Sequence, residues 1–342
     1  MKKKHLLWSL SLLLVIVLAA CGAKSKEDVV NSLTDKVDEM TGYKAQAKMT
    51  LKTGEEVQEY DIDIWHKKGE EDSFYRVKLN NPNSEKGNQI ILRNSEGVFV
   101  LTPALNKSFK FQSDWPNNTS QPYLYSSLVE DVLKDAEGTF KETENQYVFT
   151  TNTNYQSNKN LPYQDITFDK KTLKPLSVTV YDKDYNALVE IHFSAFEFNP
   201  EFADDDFDTQ KNLTASHAEV PAMAEVEEED MTVLYPTELP EGTSLVEKEE
   251  IAFENGTRVI LTFDGEKSFT LVQEKYSSYP TSITMPVMVD GEPMNLGFAI
   301  SAMTDKSIEW HQDNTRFYLA SEELTKDEMI QVAGSVTGKD IK

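Results

Sequence analysis

From Tyr43 onward the apolar residues fall on every second position. Tyr43, Ala45, Ala47, Met49 and Leu51 alternate with Lys44, Gln46, Lys48 and Thr50, and Tyr60, Ile62 and Ile64 alternate with Asp61 and Asp63. A period of two puts one set of side chains on one face of a β-strand. Phe74–Leu79, Gln89–Arg93, Val98–Leu101 and Ser108–Phe111 continue as short strands with Gly, Asn or Pro between them, which predicts an antiparallel meander. Strands return at Tyr147–Thr150, Asp165–Phe168, Leu176–Tyr181 and Leu188–Phe198, the last two as a hairpin across Asp182–Asn186. Two stretches follow the helical period instead. Ser25–Met40 carries Val29, Val30, Leu33, Val37 and Met40 on one side, and Ser25 and Asp28 are spaced as a capping box. Leu124, Leu128, Val129, Val132 and Leu133 define a second helix up to Lys134, with Pro122 in its first turn.

Beyond residue 203 the pattern changes. Asp204-Asp205-Asp206 and Glu227-Glu228-Glu229-Asp230 bound a stretch with few large apolar residues, which reads as an exposed acidic linker over residues 204–230. Strands resume at Val259–Phe263 and Thr270–Glu274 around Asp264-Gly265-Glu266, then at Ser307–Gln312 and Arg316–Leu319. A last helix carries Met329, Ile330, Val332, Ala333 and Val336 behind the capping box of Thr325 and Glu328. Strands in runs with helices set apart from them predict an α+β protein. About 320 residues after a leader exceed one comfortable core, so two domains are expected, at 21–203 and 231–342, the second the smaller.

Residues 1–20 stand outside both. Lys2-Lys3-Lys4 precedes an apolar run from Leu6 to Leu18, and Leu18-Ala19-Ala20 leads into Cys21. A positive start, an apolar middle and small residues before a cleavage point make a secretory signal peptide. The run is shorter than the ~20 residues a membrane span needs. Cys21 is the sole cysteine, so no internal disulfide can form. The formal charge of −24 becomes −27 once the three lysines of the leader are removed. Such a charge excludes nucleic acid as a partner and opposes attachment to anionic headgroups.

No catalytic residue, metal set or cofactor is expected. His5, His66, His192, His217 and His311 lie too far apart in sequence for a zinc-hydrolase helix, and no nucleophile elbow, phosphate loop or dinucleotide fingerprint occurs. Asp182, Asp184 and Asn186 imitate a calcium loop, but Ala187 and Phe193 stand where it needs glycine and a bidentate acid; Asp204, Asp206 and Asp208 fail likewise at Thr209 and Ala215. The remaining feature is apolar. Met49, Leu51, Ile62, Ile64, Val77 and Leu79 share one face of a sheet that two helices can cover. That face is either an ordinary sheet-on-helix core or, where the helices fill it incompletely, the lining of an acyl groove.

Leu18-Ala19-Ala20-Cys21 resembles the lipobox of bacterial lipoproteins, which implies a diacylglyceryl group on the Cys21 sulfur and an anchor at the outer face of the cell membrane. The order of lipobox, helix and meander continues through Asp72-Ser73-Phe74-Tyr75-Arg76, Asn81-Pro82, Gly97-Val98-Phe99-Val100 and Pro103. It resembles the lipoprotein carrier LolA and its relatives over residues 25–200. With the second domain ending in Leu324–Val336, the whole chain looks like the YdcC-type sporulation lipoproteins of spore-forming bacteria. The resemblance implies an incomplete antiparallel β-barrel with helices as a lid over a cavity for acyl chains, with Arg76 of the Phe-x-Arg motif holding a helix or loop over the opening. It implies a lipid or lipidated protein as ligand or, if the cavity is lost, a regulatory partnership with a cell-wall enzyme of the spore cortex. A tethered chain departs from a free shuttle, and a cell with one membrane offers no outer-membrane destination.

Overall fold

The computed structural model describes residues 24–52, 57–82, 88–103, 107–116, 121–155, 161–219, 231–253, 256–276, 286–296, 299–312 and 315–338. The expected signal segment, Cys21 and residues 220–230 of the expected linker lie outside them.

Helix α1 (Lys26–Glu39) starts as its spacing predicts: the Ser25 side chain accepts from the Asp28 amide and the Asp28 carboxylate accepts from the Ser25 amide. Then come β1 (Gly42–Leu51), β2 (Gln58–Lys67), β3 (Phe74–Asn80), β4 (Gln89–Asn94), β5 (Gly97–Thr102) and β6 (Lys107–Phe111). Helix α2 (Tyr125–Lys134) separates them from β7 (Thr139–Glu142), β8 (Gln146–Asn152), β9 (Tyr163–Asp169), β10 (Pro175–Tyr181) and β11 (Ala187–Phe198). Pro122 lies ahead of α2 rather than in its first turn. The helix begins at Tyr125 behind Leu124, whose side chain offers no cap.

The two meanders join where β1 pairs antiparallel with β11. The result is one open sheet, its strands ordered from β6 through β1 to β11 and on to β7, with its ends not joined into a barrel. Alternation decides the faces. In β3, Tyr75, Val77 and Leu79 are buried while Phe74, Arg76 and Lys78 are half-exposed. The β10–β11 turn is a turn and nothing more, because the Asp182 carboxylate is taken up by the amides of Asp184 and Asn186 and by the Asn186 side chain.

Residues 204–219 do not form an exposed linker. Helix α3 (Thr209–Glu219) follows a turn that buries Phe207, and Phe207 and Leu213 pack with Ile90, Leu92, Phe99 and Leu101 on the outer face of the sheet. Two apolar residues among acids are too sparse for a periodic signal, yet they suffice to dock one turn and one helix.

The C-terminal half holds β12 (Tyr235–Pro236), β13 (Ser244–Phe253), β14 (Gly256–Asp264), β15 (Phe269–Tyr276), β16 (Val287–Val289), β17 (Glu292–Asn295), β18 (Ile300–Met303), β19 (Ser307–Gln312), β20 (Thr315–Ala320), α4 (Lys326–Gly334) and β21 (Val336–Gly338). Seven of these strands form an antiparallel sheet in the order β13-β14-β15-β20-β19-β18-β17. Buried Met329, Val332 and Ala333 of α4 belong to the same core as Leu261, Leu271, Ile308 and Leu319 of that sheet. Thr325 and Glu328 form the expected capping box. Strand β16 leaves this half to pair in parallel with β6, extending the first sheet to twelve strands. No helix of the described residues is long and apolar enough to cross a membrane.

Candidate functional site

Met49, Leu51, Ile62, Ile64, Val77 and Leu79 all point to the inner face, and none is more than 3% exposed. A space that water could enter would leave exposed surface on its walls, so these six are packed rather than lining an open groove. Helices α1 and α2 supply Val29, Leu33, Leu128, Val129 and Val132 to the same core. Large rings fill the rest. Tyr125 of α2 lies within 5.4–6.2 Å of Phe168, Phe198 and Tyr43, and Tyr43 stacks on Phe196 at 5.0 Å.

Three polar latches hold the helices down. The Tyr43 hydroxyl accepts from the Tyr125 amide at 3.2 Å, taking the place of the missing cap on α2. The Tyr155 hydroxyl donates to Gln164 (2.6 Å), whose amide donates to the Asp131 carboxylate of α2 (2.8 Å). Lys26 of α1 reaches the carbonyls of Asp135, Ala136 and Gly138 just past α2. Burial pushes the Tyr43 hydroxyl well above its ordinary pKa, so it stays a neutral latch. Gln164 carries a signal in the sequence, being the one polar residue at an inward position with Ile166 and Phe168. His66 is similar, inward on β2 beyond Ile62 and Ile64.

Arg76 does hold a helix, but on the outer face. Its guanidinium donates to Asn212 of α3 (2.6 Å) and to Asp63 (3.1 Å) and lies 4.5 Å from the Trp65 ring. Alternation along β3 sends Arg76 and Val77 to opposite faces, so Arg76 is remote from the side that α1 and α2 cover. Arg76→Ala is expected to cost about 1–3 kcal/mol, because Asp63 and Asn212 lose their donor. Faster amide exchange confined to α3, rather than to α1 and α2, is the readout.

The second half closes the remainder of the inner face, over β4–β6. The Ile300 amide donates to Gln89 at 2.7 Å, and the His311 ring lies 4.9 Å from Phe109. A small pocket remains at this junction between Val100, Phe109 and Phe111 on one side and Val289, Ile300 and Ala302 on the other. Behind it, buried Glu274 receives Arg316 (2.9 Å) and Arg258 (2.5 Å), and Arg316 also grips Glu309. Burial alone would raise the Glu274 pKa, but the hydrogen bonds from Arg316 and Arg258 leave it lowered. The Lys107 pKa is lowered by burial and by Arg316. Burial, with Lys107 and Arg316 adding to it, takes His311 down to about 3. Every charge in this cluster has an opposite neighbour. Among the described residues, no three His, Cys, Asp or Glu converge as a metal site.

A family model described as "Sporulation protein YdcC-like" matches residues 2–207. Sporulation protein YdcC of Bacillus subtilis (strain 168) is 49% identical over 341 residues, covering 100% of this chain and 99% of that one. The chain belongs to the YdcC-like sporulation protein family. The matched part of this YdcC-like chain takes in α1, the whole sheet from β1 to β11 and Phe207, so both covered faces of the sheet fall largely within it. Among solved structures, the Pseudomonas aeruginosa MucA/MucB complex matches with 12% identity and a TM-score of 0.32, covering 88% of this chain and 97% of that one. A LolA superfamily protein from Nitrosomonas europaea matches with 10% identity and a TM-score of 0.29, covering 53% and 98%. Scores this low carry no argument about the YdcC-like fold, which rests on its own strand order.

Proposed function

We propose that this YdcC-like chain is a non-enzymatic lipoprotein, anchored through Cys21 at the outer face of the cell membrane, that acts in sporulation by binding another protein. The observation that carries this reading is the filled inner face. Tyr43, Tyr75, Tyr125, Phe149, Phe168 and Trp115 are each at most 5% exposed. Among the described residues, these side chains occupy the space an acyl chain would need, and they hold the outer surface in one shape. A cell-wall enzyme or a lipidated protein is the class of partner. The charge of −27 that remains without the three leader lysines repels the body from anionic headgroups, so the lipid alone holds the chain to the bilayer.

Two acyl chains on Cys21 suffice for stable anchoring. Cys21→Ser is expected to abolish incorporation of labelled palmitate and to shift the protein from the membrane to the soluble fraction. A variant equally membrane-bound would remove the anchor from the account. The partner is tested by site-directed crosslinking in sporulating cells, with solvent extraction of the same purified protein. Discrete protein adducts and no non-covalent lipid are expected. One lipid per chain, with saturable uptake of a fluorescent acyl probe, would overturn the reading in favour of acyl cargo.

A further inference from the structure

Strand β13 is the edge of the seven-stranded sheet and pairs only with β14 among the described residues. It is ten residues long, and nine of the ten are exposed. Three of the eight large apolar residues exposed on the described surface lie on this strand: Val246 (58%), Ile251 (38%) and Phe253 (37%). Between them Glu247, Glu249 and Glu250 have no hydrogen-bond or ion-pair partner among the described residues, whereas Glu274 and Glu309 of the same sheet are each gripped by arginine. Lys248 is turned toward the ring of Tyr235, 5.9 Å away.

We propose that the free edge of β13 is a docking strand for an extended, lysine- or arginine-bearing segment of a partner protein, which adds to the sheet as its next strand. This rests on the protein-partner reading and assigns it a surface. An unpaired edge offers a row of main-chain donors and acceptors to any extended chain. Side chains on the edge then choose among guests, since cross-strand pairs of opposite charge are favourable and like charges opposite each other are not. Three open carboxylates flanked by Val246, Ile251 and Phe253 select a guest with basic residues in its middle and apolar residues at its ends. The same charges disfavour a second copy in two of the registers open to it. In an in-register parallel pair each glutamate would face itself, and in the antiparallel register that sets Lys248 against Glu249, Glu247 falls opposite Glu250. The net charge of −27 on the body without its leader attracts a basic guest from a distance.

The probe is a labelled, end-capped ten-residue peptide with lysines at its four central positions and valines at both ends, titrated against the full chain by fluorescence polarisation. Saturable binding is expected, and the double variant Glu247→Lys/Glu249→Lys is expected to weaken it at least tenfold while leaving circular dichroism unchanged. These side chains are exposed, so the fold does not depend on them. The same peptide N-methylated at every backbone amide cannot pair along either edge and is expected not to bind. Equal binding of the methylated peptide would mean general attraction to an acidic surface and would overturn the proposal, as would no binding of the parent peptide. A negative titration alongside specific adducts in the sporulating cell would remove this strand and leave the protein-partner reading intact.

Discussion

Ile64→Ala is expected to lower the stability of the folded chain by about 2–5 kcal/mol, read as a fall in the urea midpoint with little change in slope. Ile64 is 0% exposed and stands in register between Ala45 and Val77. Beyond Val77 the register continues to Ile91, so the cavity left by three missing carbons is walled by neighbouring strands that cannot close over it. Leu133→Ala on α2 is the control: at 53% exposure it is expected to change stability by no more than about 0.5 kcal/mol. The opposite result is equally informative. Were Ile64 the wall of an acyl groove, its truncation would widen the groove, raise uptake of an acyl probe and leave the urea midpoint almost unmoved.

Acidification from pH 7 to pH 5 is expected to cost about 2 kcal/mol through His66 alone. The imidazole is 3% exposed, with ring centroids of Tyr43 and Tyr75 at 5.1 and 4.7 Å. Burial, helped by Lys68, lowers its pKa from 6.5 to about 4. Between those two values the unfolded chain binds a proton that the folded chain refuses. Stability from this group is therefore whole above pH 6.5 and declines as pH falls toward 4. Buried Nδ1 has no hydrogen-bond partner, so nothing in the fold rewards protonation. His66→Phe keeps a ring between the two tyrosines and removes the titration, so its stability is expected to change less over the same interval. His311 shifts in the same direction and remains in the variant, which leaves a residual slope. Identical pH profiles for the two proteins would refute the assignment.

How far the chain was legible follows from where the information lay. Capping boxes at Ser25 and Thr325 span four residues, and both appear as read. Strands with clean alternation, such as β1 to β3, were placed within a few residues of their observed bounds. Strand β13 was missed because Glu247-Lys248-Glu249-Glu250 shows no alternation; an edge strand exposed on both faces need not have any. Strand β7 is four residues long, with no residue fully buried. Helix α3 was missed because Leu213 is its only large apolar anchor.

The candidate site was legible as a face but not in its contents. Residue order alone determined that Met49, Ile62 and Val77 share one side of a sheet and that Arg76 faces away from Val77, because side-chain period is a property of the local backbone. Which bodies cover each side was decided only by tertiary structure. Strand β1 meets β11 across about 150 residues of chain, α3 takes the outer face through Asn212, and Ile300 and His311 arrive from the far half to close the inner one. Such contacts depend on which surfaces meet after the chain collapses, and a short window of sequence carries no record of them.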